Sequence, residues 1–387
     1  MRMRFSAAMA LLVLTASAAP AAMAGTVPVD NAYTLAPLVK KVTPAVVNIR
    51  TQTLEPAVEN PLFQDPFFRQ FFHIPRNYQP QPREAVAAGS GVIINAKLGY
   101  ILTNNHVIAG ANRIEVTTKG GRTFRAKLVG RDAATDIAVL KIHASHLQSL
   151  PLGNRNKVQV GDYVLAIGNP FALGQTVTSG IVSAVGRSGL GIEGYEDFIQ
   201  TDASINPGNS GGALVNFKGE LIGLNTAILA PGGGNIGIGF AVPIDMARAV
   251  MTQLIEHGSV RRGHIGIAIQ DITPDLAQAL NVKKPEGAAV VDVQKGSPAA
   301  AAGLQRGDVV VAVDGAPVRS ATELRNRIGL TPVGKTVELT VERGGQSHTV
   351  PVTVAPAPPK RIRHRAPPAQ RDQGGSGQEG PEPGGGQ

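Results

Sequence analysis

A serine hydroxyl becomes a nucleophile when a base takes its proton and a third group holds that base in place. Three stretches of this chain could supply those groups. Gly208-Asn209-Ser210-Gly211-Gly212 sets a serine among glycines. Such a stretch can turn tightly, expose the hydroxyl and aim backbone N–H groups at a developing oxyanion. His106 lies in Thr103-Asn104-Asn105-His106-Val107, where a strand runs into a polar turn. Asp132 and Asp136 compete for the orienting role; Asp136 adjoins the apolar run Ile137-Ala138-Val139-Leu140 and is the one expected to be buried. The other seven of the eight histidines are weaker bases for this purpose: His73 falls in a long loop, His364 in the tail, His143 and His146 beyond a strand end, and His257, His264 and His348 outside the first domain.

The pattern G-x-S-x-G also marks the nucleophile elbow of α/β hydrolases. That elbow runs directly into a helix, and its acid and base follow the serine. Here residues 213–225 read as a hairpin around Lys218-Gly219-Glu220, and the acid and base candidates precede Ser210. The order His, Asp, Ser is that of chymotrypsin-type enzymes.

The elements that must position these groups are short strands. Residues 45–50, 91–94, 100–103, 113–118, 123–129, 137–142, 163–167 and 176–185 each read as a strand, with turn signals between them. Glycine is abundant, at 46 residues, which fits frequent turns. One amphipathic helix follows, with Asp245 as its expected N-cap, Met246, Val250 and Leu254 on one face and Gly258 past its end. A second unit begins near residue 261, where Ser297 and Ser320 are placed to cap two further helices. Residues 53–86 form a long loop in which Phe67, Phe68, Phe71 and Phe72 recur at helical spacing, so a short aromatic-faced helix is expected there.

Composition narrows the function. Arg2 and Arg4, the apolar residues 5–19 and Ala22-Met23-Ala24 before Gly25 have the layout of a cleaved secretory signal over residues 1–24. There is no cysteine, which removes thiol catalysis and thiolate metal sites. The net charge of +9 is spread along the chain, and no basic strand is interleaved with aromatics, so nucleic acid is not an expected partner.

Taken together, the three motifs, the Asn206-Pro207 lead-in and residues 223–243 resemble the HtrA (Deg) family of bacterial envelope proteases. The second unit resembles a bacterial PDZ domain through Gly296-Ser297-Pro298-Ala299, Gly303-Leu304-Gln305-Arg306-Gly307-Asp308 and Val313-Asp314-Gly315. The resemblance implies a mainly β protein. A chymotrypsin-like double β-barrel would span residues 25–256, one α+β PDZ domain residues 257–356, and a disordered tail residues 357–387. Ser210 would be the nucleophile, His106 the base and Asp136 the orienting acid. Gly208, Asn209 and Ser210 would form the oxyanion hole. Ile228, Leu229 and Ile238 would line an apolar S1 pocket suited to small aliphatic residues. His264, Ile265, Gly266 and Ile267 would hold a peptide carboxylate, with Leu324 and Ile328 lining its side-chain pocket.

No cofactor and no metal is implied. The expected partners are unfolded proteins, C-terminal peptides and further copies of the chain in a trimer or a multiple of it. The expected activity is ATP-independent endoproteolysis of damaged envelope proteins in the periplasm. The alternatives are a holdase chaperone with secondary protease activity and a ligand-gated signalling protease. Well-known soluble relatives carry two PDZ domains where this sequence shows one.

Overall fold

The computed structural model describes residues 34–55, 83–169, 174–206, 208–228, 236–282 and 285–358. The expected signal segment, the Phe-rich helix and the tail beyond residue 358 lie outside the described residues.

A short helix, α1 (Ala36–Val42), leads into the first sheet. Its strands are β1 (Val46–Glu55), β2 (Arg83–Asn95), β3 (Tyr100–Thr103), β4 (Arg113–Thr117), β5 (Thr123–Arg125), β6 (Lys127–Asp132) and β7 (Ile137–Lys141), in the order β5-β4-β1-β2-β3-β7-β6. The second sheet closes on itself as a six-stranded barrel. It contains β8 (Tyr163–Gly168), β9 (Thr176–Arg187), β10 (Phe198–Thr201), β11 (Ala213–Asn216), β12 (Leu221–Ile228) and β13 (Gly239–Pro243), in the order β10-β13-β12-β11-β8-β9. The first sheet is therefore one strand larger than the barrel.

The two sheets share a core. Val46, Val92, Leu102 and Ile137 from the first meet Leu165, Ile167, Ala213 and Leu224 from the second in one buried cluster. This explains why β7 is buried on both faces, instead of alternating: one face packs inside its own sheet and the other against the barrel. A second cluster, with Val47, Ile49, Ile101 and Leu140, fills the first sheet alone. The end of β3, the turn that leads into β7 and the middle of β12 consequently converge where the sheets meet.

Helix α3 (Ile244–His257) closes this body; α2 (Asn105–Ile108) is the turn that carries His106. Met246, Val250 and Leu254 are buried as their spacing predicts, each contributing about 1.5–3 kcal/mol. Gly258 ends the helix at φ 72°. Its start differs from expectation. The helix begins at Ile244, and Asp245 sits in the first turn, where its carboxylate accepts the N–H of Arg155 at 3.1 Å. A long-range donor has taken the carboxylate that sequence assigned to a cap.

The C-terminal unit is built on β15 (Ile267–Asp271), β16 (Ala288–Val293), β17 (Val309–Val313), β19 (Thr336–Arg343) and β20 (Gln346–Thr353), in that order, with β18 (Ala316–Pro317) paired to β17. A two-stranded pair, β14 (Gly263–His264) with β21 (Ala355–Pro356), ties its ends together. The helices are α4 (Pro274–Ala279), α5 (Pro298–Ala301) and α6 (Ala321–Leu330). Ser297 and Ser320 cap α5 and α6 by accepting the N–H groups of Ala300 and Glu323 at 3.2 and 3.1 Å. β15 ends the sheet, so one edge of it is unpaired within the described residues.

Candidate active site

Asp136 immediately precedes β7 in the left-handed region, with φ 54°. A non-glycine residue is held there only by its surroundings, and they are dense. Its backbone carbonyl accepts the N–H of Asn105 at 3.1 Å and the side-chain amide of Asn104 at 3.0 Å. Its carboxylate accepts the N–H of His106 at 2.8 Å, and its other oxygen lies 2.7 Å from His106 Nδ1. The Asp136 side chain is only 3% exposed, whereas the imidazole is 50% exposed. The Nδ1 edge of the ring is thus held by a buried carboxylate while half of the imidazole remains exposed.

A further donor completes the carboxylate: Thr226 Oγ1, 2.7 Å from the same oxygen that meets the imidazole. The carbonyl of Thr226 accepts a long 3.4 Å hydrogen bond from Ser210 Oγ. Thr226 therefore touches both Asp136 and Ser210. Nothing in its local sequence marks it for this; it is one position in an ordinary strand. Asp132, the competing acid, points elsewhere: it accepts from Thr135 Oγ1 at 2.5 Å and pairs with Arg262.

The Ser210 loop is knotted to the first sheet through Ser90. Ser90 N donates to Ser210 O at 2.8 Å, and Ser90 Oγ donates to Gly208 O at 2.6 Å while accepting from Asn169 N at 2.8 Å. Gly208 and Gly211 have φ of 95° and 79°. A Cβ on Gly211 would lie 2.2 Å from Ser90 O and 2.4 Å from Thr103 Oγ1, so only glycine fits against the end of β3. The Asn209 N–H is committed to Asn206 O at 2.9 Å. Of the three residues expected at an oxyanion hole, Gly208 and Ser210 keep N–H groups without a partner among the described residues. Strand β11 follows Ser210 directly, so the hydrolase elbow is absent.

Charge follows geometry here. Burial works to lower the proton affinity of His106, but the hydrogen bond to Asp136 and the charges of Asp136 and Glu193 outweigh it, and its pKa lies above 6.5. A base held this way can take a hydroxyl proton and keep the resulting cation stable.

Of the S1 candidates, Ile228 is the last residue of β12, Ile238 is half-buried against the shared core, and Leu229 lies outside the described residues. In the C-terminal unit, His264, Ile265, Gly266, Ile267, Leu324 and Ile328 all line one cavity of about 140 Å³ beside β15. Ile265, Leu324 and Ile328 also belong to that unit's buried core. Gly266 has φ 80°, and a Cβ there would meet Ser297 Cβ at 2.2 Å.

Tyr195 of the protease unit lines the same cavity. It belongs to residues 188–197, which bridge the two units. The Arg262 guanidinium stacks 4.2 Å from the Tyr195 ring centroid, and Asn326 Nδ2 donates to Glu196 O at 2.7 Å. On the other side, Tyr195 N donates to Ala134 O at 2.9 Å, two residues before Asp136. Sequence reading singled out none of these bridging residues.

Residues 89–224 match the trypsin-like peptidase domain family, and residues 263–354 match the PDZ domain family. The chain is 48% identical to the periplasmic pH-dependent serine endoprotease DegQ of Escherichia coli over 323 residues, covering 83% of this chain and 70% of that protein. It is 44% identical to the periplasmic serine endoprotease DegP of the same organism, over 89% of this chain and 77% of that one. Solved structures of the HtrA-type protease AlgW are similar too. The one with a tripeptide aligns at TM-score 0.64 and 42% identity, covering 84% of this chain and 98% of that one; the one with a decapeptide aligns at 0.62 and 44%, covering 84% and 99%. With a trypsin-like body, one PDZ domain and this degree of identity, the chain belongs to the HtrA-type (Deg) family of serine endoproteases.

Proposed function

We propose that Ser210, His106 and Asp136 form the catalytic triad of an ATP-independent endopeptidase that degrades unfolded or damaged proteins in the periplasm. The observation that carries this reading is the 2.7 Å bond between His106 Nδ1 and the buried Asp136 carboxylate, with Thr226 joining that carboxylate to the Ser210 hydroxyl. Asp136 holds the tautomer with its proton on Nδ1, leaving Nε2 free to accept the proton of Ser210 Oγ. Ser210 Oγ attacks the scissile carbonyl, and the N–H groups of Gly208 and Ser210 receive the oxyanion. His106 then passes its proton to the leaving amine. An acyl-enzyme remains, and water hydrolyses it by the same route in reverse. Ile228, Leu229 and Ile238 favour a small aliphatic side chain at the cleaved residue.

The C-terminal cavity suits a peptide added as a strand to the free edge of β15, with its carboxylate at residues 264–267. Periplasmic location is supported by the relatives' names and by the layout of residues 1–24. Contact with a further copy of the chain, expected as a trimer from the family resemblance, would suit an exposed aromatic pair. Tyr163 and Phe217 stack at 5.3 Å while remaining 64% and 49% exposed. Tyr195 in the peptide cavity favours a second reading, in which a bound peptide gates the protease.

The deciding experiment is hydrolysis of a casein by the protein from Gly25 onward, beside Ser210→Ala. Removing the nucleophile of a working triad costs about a million-fold in turnover. Cleavage by the wild type alone supports the triad. Cleavage by both rejects it, and cleavage only after addition of a C-terminal peptide selects the gated reading.

A further inference from the structure

The first sheet ends on β5 and β6, and these two strands do not pair with each other. Ala126, the residue between them, donates its N–H to Ile114 O at 2.9 Å, and the chain then leaves β4 to pair with β7. A cavity of about 420 Å³ opens at this seam. Arg113 of β4, Arg125 of β5 and Arg131 of β6 line it, all three of them exposed. Leu128 of β6, 38% exposed, lies among them.

The charge at the seam is one-sided. No carboxylate lines the cavity among the described residues. Glu115, on the same strand as Arg113, pairs with it at 2.7 Å and stands opposite Arg125 of β5 and Arg50 of β1. Residues directly opposite in antiparallel strands share a face, so one acid is set among three arginines. Asp132, the neighbour of Arg131, is committed to Arg262. Arg125 and Arg131 make no ion pair among the described residues. Guanidiniums gathered without carboxylates of their own favour a ligand that brings some. Two further features select a polypeptide as that ligand. β6 pairs only with β7, which leaves its second edge without a strand and its backbone groups open to an extended chain. The exposed Leu128 adds an apolar contact, which a bare anion would not use. The seam also adjoins the chemistry: Ile108, which lines the cavity, follows His106 by two residues on the same short helix α2.

We propose that this seam is a docking site for an acidic, extended segment of the polypeptide being cleaved. This rests on the endopeptidase reading above. Acidic side chains two residues apart lie on one face of a strand and can meet the arginines together. Such docking holds a substrate by a part that takes no part in the reaction, so it lowers KM and leaves kcat alone. The PDZ cavity suits a chain end; the seam takes an internal segment.

The test uses internally quenched peptides that share one cleavable core and an amidated C-terminus, which removes the carboxylate the PDZ cavity would hold. One carries Glu-Leu-Glu-Leu on both sides of the core, the other Gln-Leu-Gln-Leu. With the protein from Gly25 onward, the acidic peptide should have the lower KM by about ten-fold, at similar kcat. Arg125→Gln with Arg131→Gln should bring the two KM values together by raising the acidic one, and about 1 M salt should do the same to the wild type. Arg125→Glu with Arg131→Glu should turn the preference toward a third peptide with Lys in place of Glu, which a merely misfolded variant could not do. Equal KM values in the wild type overturn the inference, as does a rise in both by one factor in the variants. Fluorescence anisotropy of the same peptides on Ser210→Ala reads docking without cleavage. The acidic one should bind about ten-fold more tightly, and equal Kd values overturn the inference. Hydrolysis by Ser210→Ala as fast as by the wild type overturns instead the endopeptidase reading on which the inference rests, whatever the Kd values.

Discussion

Thr226 and Asp136 meet through a 2.7 Å hydrogen bond between a threonine hydroxyl and a carboxylate that is almost fully enclosed. Removing one donor from a buried carboxylate leaves lone pairs unsatisfied, which costs about 1–3 kcal/mol. Thr226→Val should therefore reduce kcat on a peptide substrate by about ten-fold or more, with KM little changed, and Thr226→Ser should recover most of it. Steady-state kinetics of the three proteins checks this.

The raised pKa of His106 sets the sign of the pH response. The base works only when unprotonated, so kcat/KM should fall on the acid side with a midpoint above 6.5. A midpoint at or below that value would contradict the geometry around Asp136.

Stability should run the other way. His106, Glu193 (raised to about 7) and Asp197 (raised to about 6, chiefly by burial against the opposing pull of Arg155) all hold protons more tightly in the fold. Each contributes stability that is full below its unfolded pKa and is lost as pH rises through the folded one. The unfolding midpoint of Ser210→Ala, which cannot digest itself under the triad reading, should fall between about pH 5 and about pH 8. Thermal unfolding across that range tests it; a rise would refute it.

Asn326 reaches out of the PDZ domain to the backbone of Glu196 in a buried 2.7 Å bond. Asn326→Ala should loosen residues 188–197 at a cost of about 1–3 kcal/mol. Basal cleavage of a short peptide should be retained, while any change in rate caused by a C-terminal peptide should be lost. The comparison is the ratio of rates with and without that peptide.

At Gly266 the backbone has φ 80° and no room for a methyl group against Ser297. Gly266→Ala should weaken C-terminal peptide binding by ten-fold or more, on the order of 1.4 kcal/mol, by displacing residues 264–267. Labelling of Ser210 by a fluorophosphonate should be unaffected. Fluorescence anisotropy of a labelled peptide measures the first and labelling rate the second.

Much of the site was legible because its signals are local. Glycines around Ser210, an apolar strand after Asp136 and a strand end before His106 each reflect what a few neighbouring residues need in order to turn or be buried. The caps at Ser297 and Ser320 were legible for the same reason, whereas residues 264–267 carry no local signal of their own and were reached only through the resemblance to a PDZ domain. The cap at Asp245 was misassigned because Arg155, far off in the chain, competes for its carboxylate.

Tertiary structure alone decided which groups meet. Thr226 lies 90 residues from the aspartate it supports, and Asn326 lies 130 from the carbonyl it holds. Ser90 gathers the serine loop and Asn169 onto β2. No spacing or periodicity encodes these encounters. They exist because two sheets share one core, which brings the end of β3, the start of β7 and Thr226 of β12 together, and because a PDZ helix packs on the loop beside them. The sequence determined the chemical groups and their local backbone; packing determined the distances over which those groups act.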